Sequence, residues 1–280
     1  MRLIVTLTSI PPRFGEIGPT LDSLRQQTAA IDEIRLYIPR HYRRFPDYDG
    51  HLPDIPAGVT IHRPENDLGP ATKLLFAARD FRGQEDVQIL FCDDDRIYPP
   101  EWAAELSALQ AERPDEAVAL SGWEVEQGSG AVPPGTRRQP RHRKRNRRWD
   151  WHYRLARIRQ QWRLGTLRPT RRKPPRRLID RAGYADVFQG FGGVVVRPDF
   201  FEEEDFDIPR VVWAADDVWL SGKLAHRGIP IWVPAGLHAP RTSNADDADA
   251  LWRSVIDGAT AREAATKGVR LLRERYGVWR

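Results

Sequence analysis

Cysteine and methionine are almost absent from this chain of 280 residues, each occurring once. A lone Cys92 excludes an intrachain disulfide and a cysteine-built zinc site, and it suits a reducing compartment. Long apolar runs are missing too. The opening run Leu3-Ile-Val-Thr-Leu7 is too short for the apolar part of a secretion signal or for a membrane span, and no other segment approaches spanning length. The expected location is therefore the cytoplasm, or a peripheral position on the inner face of the membrane. One stretch nearly lacks acid: from Arg137 to Arg177 there are 18 Lys and Arg against Asp150 alone. The remainder holds 26 basic and 38 acidic residues, so a formal net charge of +5 conceals an acidic body and one basic segment.

What is present alternates between strand and helix signals. Leu3–Thr8, Ile34–Ile38, Val59–His62, Gln88–Cys92, Ala117–Ser121, Gly192–Val196 and Ile229–Val233 read as strands. Thr20–Thr28, Ala71–Arg79, Glu101–Arg113 and Ala214–Leu224 read as helices, and Ala245–Tyr276 as mostly helical, with Leu251, Val255, Val269 and Leu272 available to pack. This alternation predicts an α/β fold with a mixed, mainly parallel sheet flanked by helices. Residues 39–58 read as a loop. Residues 127–177, rich in Gly, Pro and Arg, read as an insertion or lobe with apolar periodicity only around Trp149–Trp162. The expected organisation is a nucleotide-binding half (1–125), the basic insertion (126–182), an acceptor or catalytic half of the same domain (183–240) and a C-terminal helical segment (241–280).

The most telling stretch is Ile89-Leu-Phe-Cys-Asp-Asp-Asp95, an apolar strand ending in three carboxylates. Ligands of open α/β sheets sit at the carboxyl ends of strands. Three acids there repel one another unless a cation neutralises them, and Mg²⁺ or Mn²⁺ typically bridges one or two carboxylates to substrate phosphates. The plainer reading is a solvated turn that caps a helix near Glu101. Asn66-Asp-Leu-Gly-Pro-Ala-Thr-Lys73 joins a strand to a helix start, where backbone N–H groups and the Lys73 charge attract an anion; it lacks the spacing of a Walker A loop. Arg13, in Thr8-Ser-Ile-Pro-Pro-Arg13, lies at the same sheet edge and is within reach of a phosphate or base. Asp216 and Asp217 stand at a predicted helix start, either as caps or as a general base. Gln189-Gly-Phe-Gly-Gly193 permits close backbone approach and positive φ, or makes a bulge. His238 follows the last strand, where a lone histidine is more often a surface residue than a ligand.

In this order Thr6–Arg13, Leu68–Leu74, Phe91–Tyr98, Gly190–Val196 and Ala215–Leu220 resemble bacterial glycosyltransferases of the GT-A (Rossmann-like) fold, family 2-like and DxD-containing. The resemblance spans roughly residues 1–125 and 183–240. It implies a hexosyltransferase-type enzyme that moves a sugar from a UDP- or GDP-sugar to a glycan or lipid-linked acceptor in cell-envelope polysaccharide synthesis. It also implies Mn²⁺ or Mg²⁺, held by Asp93, Asp95 and the late His238. Thr8, Arg13, Asp67, Lys73, Asp93 and Asp94 fall on the nucleotide side. Asp216 or Asp217 would be the base if the reaction inverts; many relatives have Glu-Asp where this chain has Asp-Asp.

Rival readings are weaker in the sequence. A haloacid-dehalogenase phosphatase wants Asp-x-Asp-x-Thr/Val after its first strand, and a sugar nucleotidyltransferase wants a glycine-rich loop near the N-terminus; residues 6–15 contain only Gly15. A third rival is a non-catalytic protein acting through the basic segment. Residues 137–177 interleave Arg with Trp149, Trp151, Tyr153 and Trp162. That pattern fits a peripheral membrane contact, a lobe for an anionic acceptor, or a solvated loop. Nucleic acid is the less favoured partner, because no recognised nucleic-acid motif accompanies the charge.

Overall fold

A computed structural model of the chain describes residues 1–126, 138–146, 150–165, 174–247, 255–256 and 259–279. The expectations for Trp149 and Leu251 lie outside these residues. Eight strands build one sheet: β1 (Arg2–Thr8), β2 (Glu33–Tyr37), β3 (Val59–His62), β4 (Val87–Phe91), β5 (Ala117–Ala119), β6 (Gly183–Ala185), β7 (Val194–Val196) and β8 (Ile231–Val233). Their spatial order is β6-β8-β5-β7-β4-β1-β2-β3. The β4-β1-β2-β3 half is wholly parallel. β7 runs antiparallel between β4 and β5, β8 pairs parallel with β5, and β6 closes the edge antiparallel to β8. The sheet is thus mixed and mainly parallel, as expected.

Both faces are covered, so the strands are apolar throughout while alternate residues serve opposite cores. Ile4, Ile89, Phe91, Val194 and Val196 face one cluster, shared with helices α2 (Thr72–Asp80), α5 (Asp216–His226) and α6 (Ala261–Tyr276). Leu3, Val5, Leu7, Leu90 and Val195 face the other, shared with α1 (Gly18–Arg25) and α3 (Trp102–Ala111). Leu21, Leu24, Leu74, Leu75 and Leu106, the residues whose spacing points inward, are all fully buried. α4 (Trp151–Arg163) arises in the basic segment. Its N-cap is Asp150, the one acid there, which accepts from the Tyr153 N–H at 3.2 Å and from Arg176 Nε at 3.1 Å.

The C-terminal segment departs from the expected helix over 245–276. Among the described residues of this segment only α6 is α-helical; before it come a 3₁₀ turn at Asn244–Asp247 and an antiparallel pair, Val255–Ile256 with Ala259–Thr260. The reason is local, because Thr260 and Glu263 form a reciprocal capping box that sets the helix start at Ala261.

The glycine loop is moulded on α3. Trp102 Nε1 donates to the Gly192 carbonyl at 2.7 Å. Gly193 has φ +93°, and a Cβ there would lie 2.3 Å from the Trp102 ring. Gly193→Ala is therefore expected to cost roughly 2–4 kcal/mol through backbone strain and overpacking combined. Denaturant unfolding checks this, and a cost below about 1 kcal/mol would contradict the loop geometry.

Candidate active site

A cavity of about 360 Å³ opens where the carboxyl ends of β1 and β4 meet the start of α5. Thr8, Arg13, Asp67, Lys73, Asp93, Asp94, Asp95, Asp216 and Asp217 all line it. Sequence positions spread over more than two hundred residues thus converge on one chamber. The antiparallel pairing of β7 with β4, Val194 opposite Phe91, is what brings the glycine loop alongside the aspartate triplet.

At its centre is Lys73, which is buried. Its Nζ lies 2.8 Å from Asp93 Oδ1 and 2.9 Å from Asp216 Oδ2. Burial alone would lower the proton affinity of this ammonium, but Asp216, Asp93 and Asp217 more than offset it and hold the group well above its ordinary value. The Lys73 charge is therefore engaged within the protein, where sequence reasoning gave it to a phosphate. Gly190 closes over this cluster. Its N–H donates to Asp217 Oδ1 at 3.0 Å, and a Cβ would stand 2.9 Å from Lys73 Nζ.

The three consecutive aspartates have different surroundings. Asp94 is buried, with Oδ2 accepting from Ser9 Oγ at 2.5 Å and Oδ1 from Arg13 at 2.6 Å. Both its oxygens are thus engaged by the protein, and Arg13 is bound up with the triplet itself. Asp95 is also buried; Arg13 stands 3.5 Å away, and Arg96 Nε is 3.2 Å from Oδ1 without hydrogen-bonding geometry. Burial first, then the charge of Asp93, pushes the Asp95 carboxyl up to about 7. Asp93 keeps 31% of its side chain exposed.

Asp216 and Asp217 occupy the first turn of α5, yet neither caps it. The N-cap is Ala215, without a side-chain bond. One carboxylate turns to Lys73 and the other to the Gly190 N–H. Burial, and then Asp216, raise the Asp217 carboxyl well above its usual range, with Lys73 opposing. Asp67 accepts from the backbone N–H groups of Arg43 and Gly69, each at 2.8 Å. Thr8 Oγ1 donates to the Tyr37 carbonyl at 2.8 Å.

His238 is not brought to this cavity. It is exposed, in a short strand paired with Arg176–Arg177, and the acid whose ionisation it influences is Glu105 on α3. The nearby segment that does reach the triplet is Arg241–Thr242, paired with Arg96–Ile97, and the Ser243 N–H donates to the Asp95 carbonyl at 2.9 Å. Sequence reasoning missed an aromatic flank of Tyr42, Phe45 and Trp213. Arg43 lies 5.0 Å from the Trp213 ring centroid, and Gly69, with φ +60°, leaves room for that ring. The available signal was a tryptophan just before Ala-Ala-Asp-Asp.

Residues 55–167 match the family described as Glycosyl transferase family 2. That stretch contains both the Asp67–Lys73 turn and the aspartate triplet, and it bears out there the resemblance read from the sequence. The match covers the middle of the chain, on the strands and turns that carry the cavity's Asp67–Asp95 side. Among solved structures, the chain is similar to S. aureus TarS 1-349, with 16% identity and a TM-score of 0.46, over 97% of this chain and 64% of that one. With S. aureus TarS 1-349 in complex with UDP the identity is 14% and the TM-score 0.44, over 98% and 72%. A further S. aureus TarS structure gives 16% and 0.44, with 88% of this chain covered and only 37% of that one. No curated protein matches the chain.

Proposed function

We propose that this chain is a metal-dependent glycosyltransferase that moves a sugar from a nucleoside-diphosphate donor to a hydroxyl of a glycan or lipid-linked acceptor in cell-envelope polysaccharide synthesis. The observation that carries the reading is the shared Lys73: one buried cation ties the triplet after β4 to the acidic pair on α5. Neither group serves as a helix cap, and both sets of carboxylates face one cavity.

In this reading the donor half is residues 1–125 and the acceptor half 183–240. Asp67 and the Tyr42–Trp213 flank form the base end of the donor site. A divalent cation fits the acids present, because Asp95 Oδ1 is buried without a hydrogen-bond partner and Asp93 remains partly open. Among the described residues no three His, Cys, Asp or Glu gather to hold an ion alone. Asp93 and Asp95 would hold it, with diphosphate oxygens as the other ligands. Bound there, Mn²⁺ or Mg²⁺ would neutralise charge developing on the leaving diphosphate. Asp217 takes the proton from the acceptor hydroxyl if the sugar is inverted. It is the better placed of the pair, since Asp216 is tied to Lys73, and its raised proton affinity suits a base. Lys73 holds both sets of acids in register, and Gly190 leaves the space that allows it.

The test is calorimetric titration of UDP, GDP, CDP and ADP, with and without Mn²⁺, into the native protein and Asp95→Ala. The expected result is metal-dependent binding of one nucleotide, weakened roughly tenfold or more by the substitution. A folded native sample that binds none of the four overturns the proposal.

A further inference from the structure

α4 is built the wrong way round for a helix that ends at water. Amphipathic helices of globular domains turn their apolar stripe to the core. Here Trp151, Leu155, Ile158 and Trp162 share one stripe at helical spacing, and all four are exposed, Trp162 at 90%. The half-buried residues are Tyr153, Ala156, Arg157, Gln160 and Gln161, away from the stripe. The fold therefore seats the small and polar face and presents the apolar one.

Charge says what covers it. The helix carries Arg154, Arg157, Arg159 and Arg163 and no acid. Arg154 and Arg159 flank the stripe on either side, by the 100° advance per residue. Arg157, Arg159 and Arg163 have no carboxylate partner among the described residues. The tryptophans sit at the two ends of a stripe about 16 Å long, and tryptophan favours the boundary between water and hydrocarbon. Low overall hydrophobicity, an arginine-rich face and a Trp/Leu/Ile face are the attributes of a helix lying in the plane of an anionic bilayer. No described helix is long and apolar enough to cross a membrane, so this is a contact along the surface. Nucleic acid fits less well, because Leu155 and Ile158, in the middle of the stripe, offer no ring to stack on a base. A second copy fits less well too, since it would lay this arginine-rich helix against itself.

We infer that α4 docks the protein on an anionic lipid surface, with Trp151, Leu155, Ile158 and Trp162 inserted among the acyl chains and the exposed Arg154, Arg159 and Arg163 on the headgroups. The helix also joins that surface to the chemistry. Tyr153 lines a second cavity of about 760 Å³, and Arg96 lines both this cavity and the aspartate cavity. A bilayer touching one side of α4 is thus about one helix diameter, roughly 10–12 Å, from a chamber that adjoins the proposed site.

The experiment is vesicle co-sedimentation of the full chain with mixed phosphatidylglycerol–phosphatidylcholine vesicles, against phosphatidylcholine alone. The native protein is expected to bind the anionic vesicles and not the neutral ones. Leu155→Glu with Trp162→Glu is expected to weaken that binding roughly tenfold or more, with unchanged melting temperature. Replacing Arg154, Arg157, Arg159 and Arg163 by glutamine is expected to do the same. Equal binding to neutral vesicles, or no loss in either variant set, overturns the inference. So does failure to bind vesicles while the protein retains a single-stranded oligonucleotide, or dimerises in sedimentation velocity, through the same residues.

Discussion

Replacing Lys73 by methionine is expected to cost the fold about 3–5 kcal/mol, as removal of one partner from a buried ion pair does. Methionine keeps most of the stem volume, so the loss isolates the charge rather than a cavity. Asp93, Asp216 and Asp217 would then face one another without the cation 2.8–2.9 Å from the first two. The melting temperature should fall by roughly 6–15 °C, given a few degrees per kcal/mol for a chain of this size. The deficit also has a pH signature. Without Lys73 the folded state raises the pKa values of these carboxyls above their unfolded values. Their ionisation then removes stability as pH rises from the unfolded value, and protonation restores it as pH falls. The gap between native and variant should therefore be narrower at pH 5 than at pH 8. Equal melting temperatures, or a gap independent of pH, would show that Lys73 does not neutralise this cluster.

Asp217→Asn should have the largest effect on turnover. If Asp217 is the base, kcat falls roughly 10²–10⁴-fold while donor binding is little changed, because the substitution removes a proton acceptor and leaves the donor end intact. The amide oxygen of asparagine can still accept from the Gly190 N–H. Stability should hold or rise. Burial and Asp216 make an ionised Asp217 unfavourable in the folded protein, so a neutral residue relieves that cost. Loss of activity with retained melting temperature is thus the expected pair of readings. Asp216→Asn removes a partner of Lys73 instead, and its signature is a lowered melting temperature. Turnover of Asp217→Asn within a few-fold of native, with Asp216→Asn inactive, would transfer the role to Asp216.

The strands and most helices were legible because their signals are local. Apolar runs between turn residues marked the strands, and apolar spacing marked the helices, whose Leu21, Leu24, Leu74 and Leu106 are buried. Chain segments at one sheet edge could likewise be grouped from strand polarity alone. Which polar atoms meet within that group could not, because the meetings depend on side-chain directions set by packing. Lys73 read as a phosphate contact from its place at a helix start, yet the fold hands it to acids 20 and 143 positions away in sequence. The middle aspartate of three identical neighbours turned out to be bound by Ser9 and Arg13. The position of His238 rested on order alone, and a short strand carries it away from the cavity.

The strand order has a consequence for how the chain is made. The β4-β1-β2-β3 strip can pair as soon as residue 91 has left the ribosome, since all its strands precede that point. β5 cannot join it directly, because β7, residues 194–196, is the strand that sits between β4 and β5. Through synthesis of the intervening hundred or so residues, including the whole basic segment, one side of β4 remains an open hydrogen-bonding edge in a strand with every side chain buried in the finished fold. Such an edge is a template for wrong pairing, and its late closure by a distant segment is slow. Val194–Val196 are thus the segment that closes this edge, and β4 stays open to wrong pairing until they emerge.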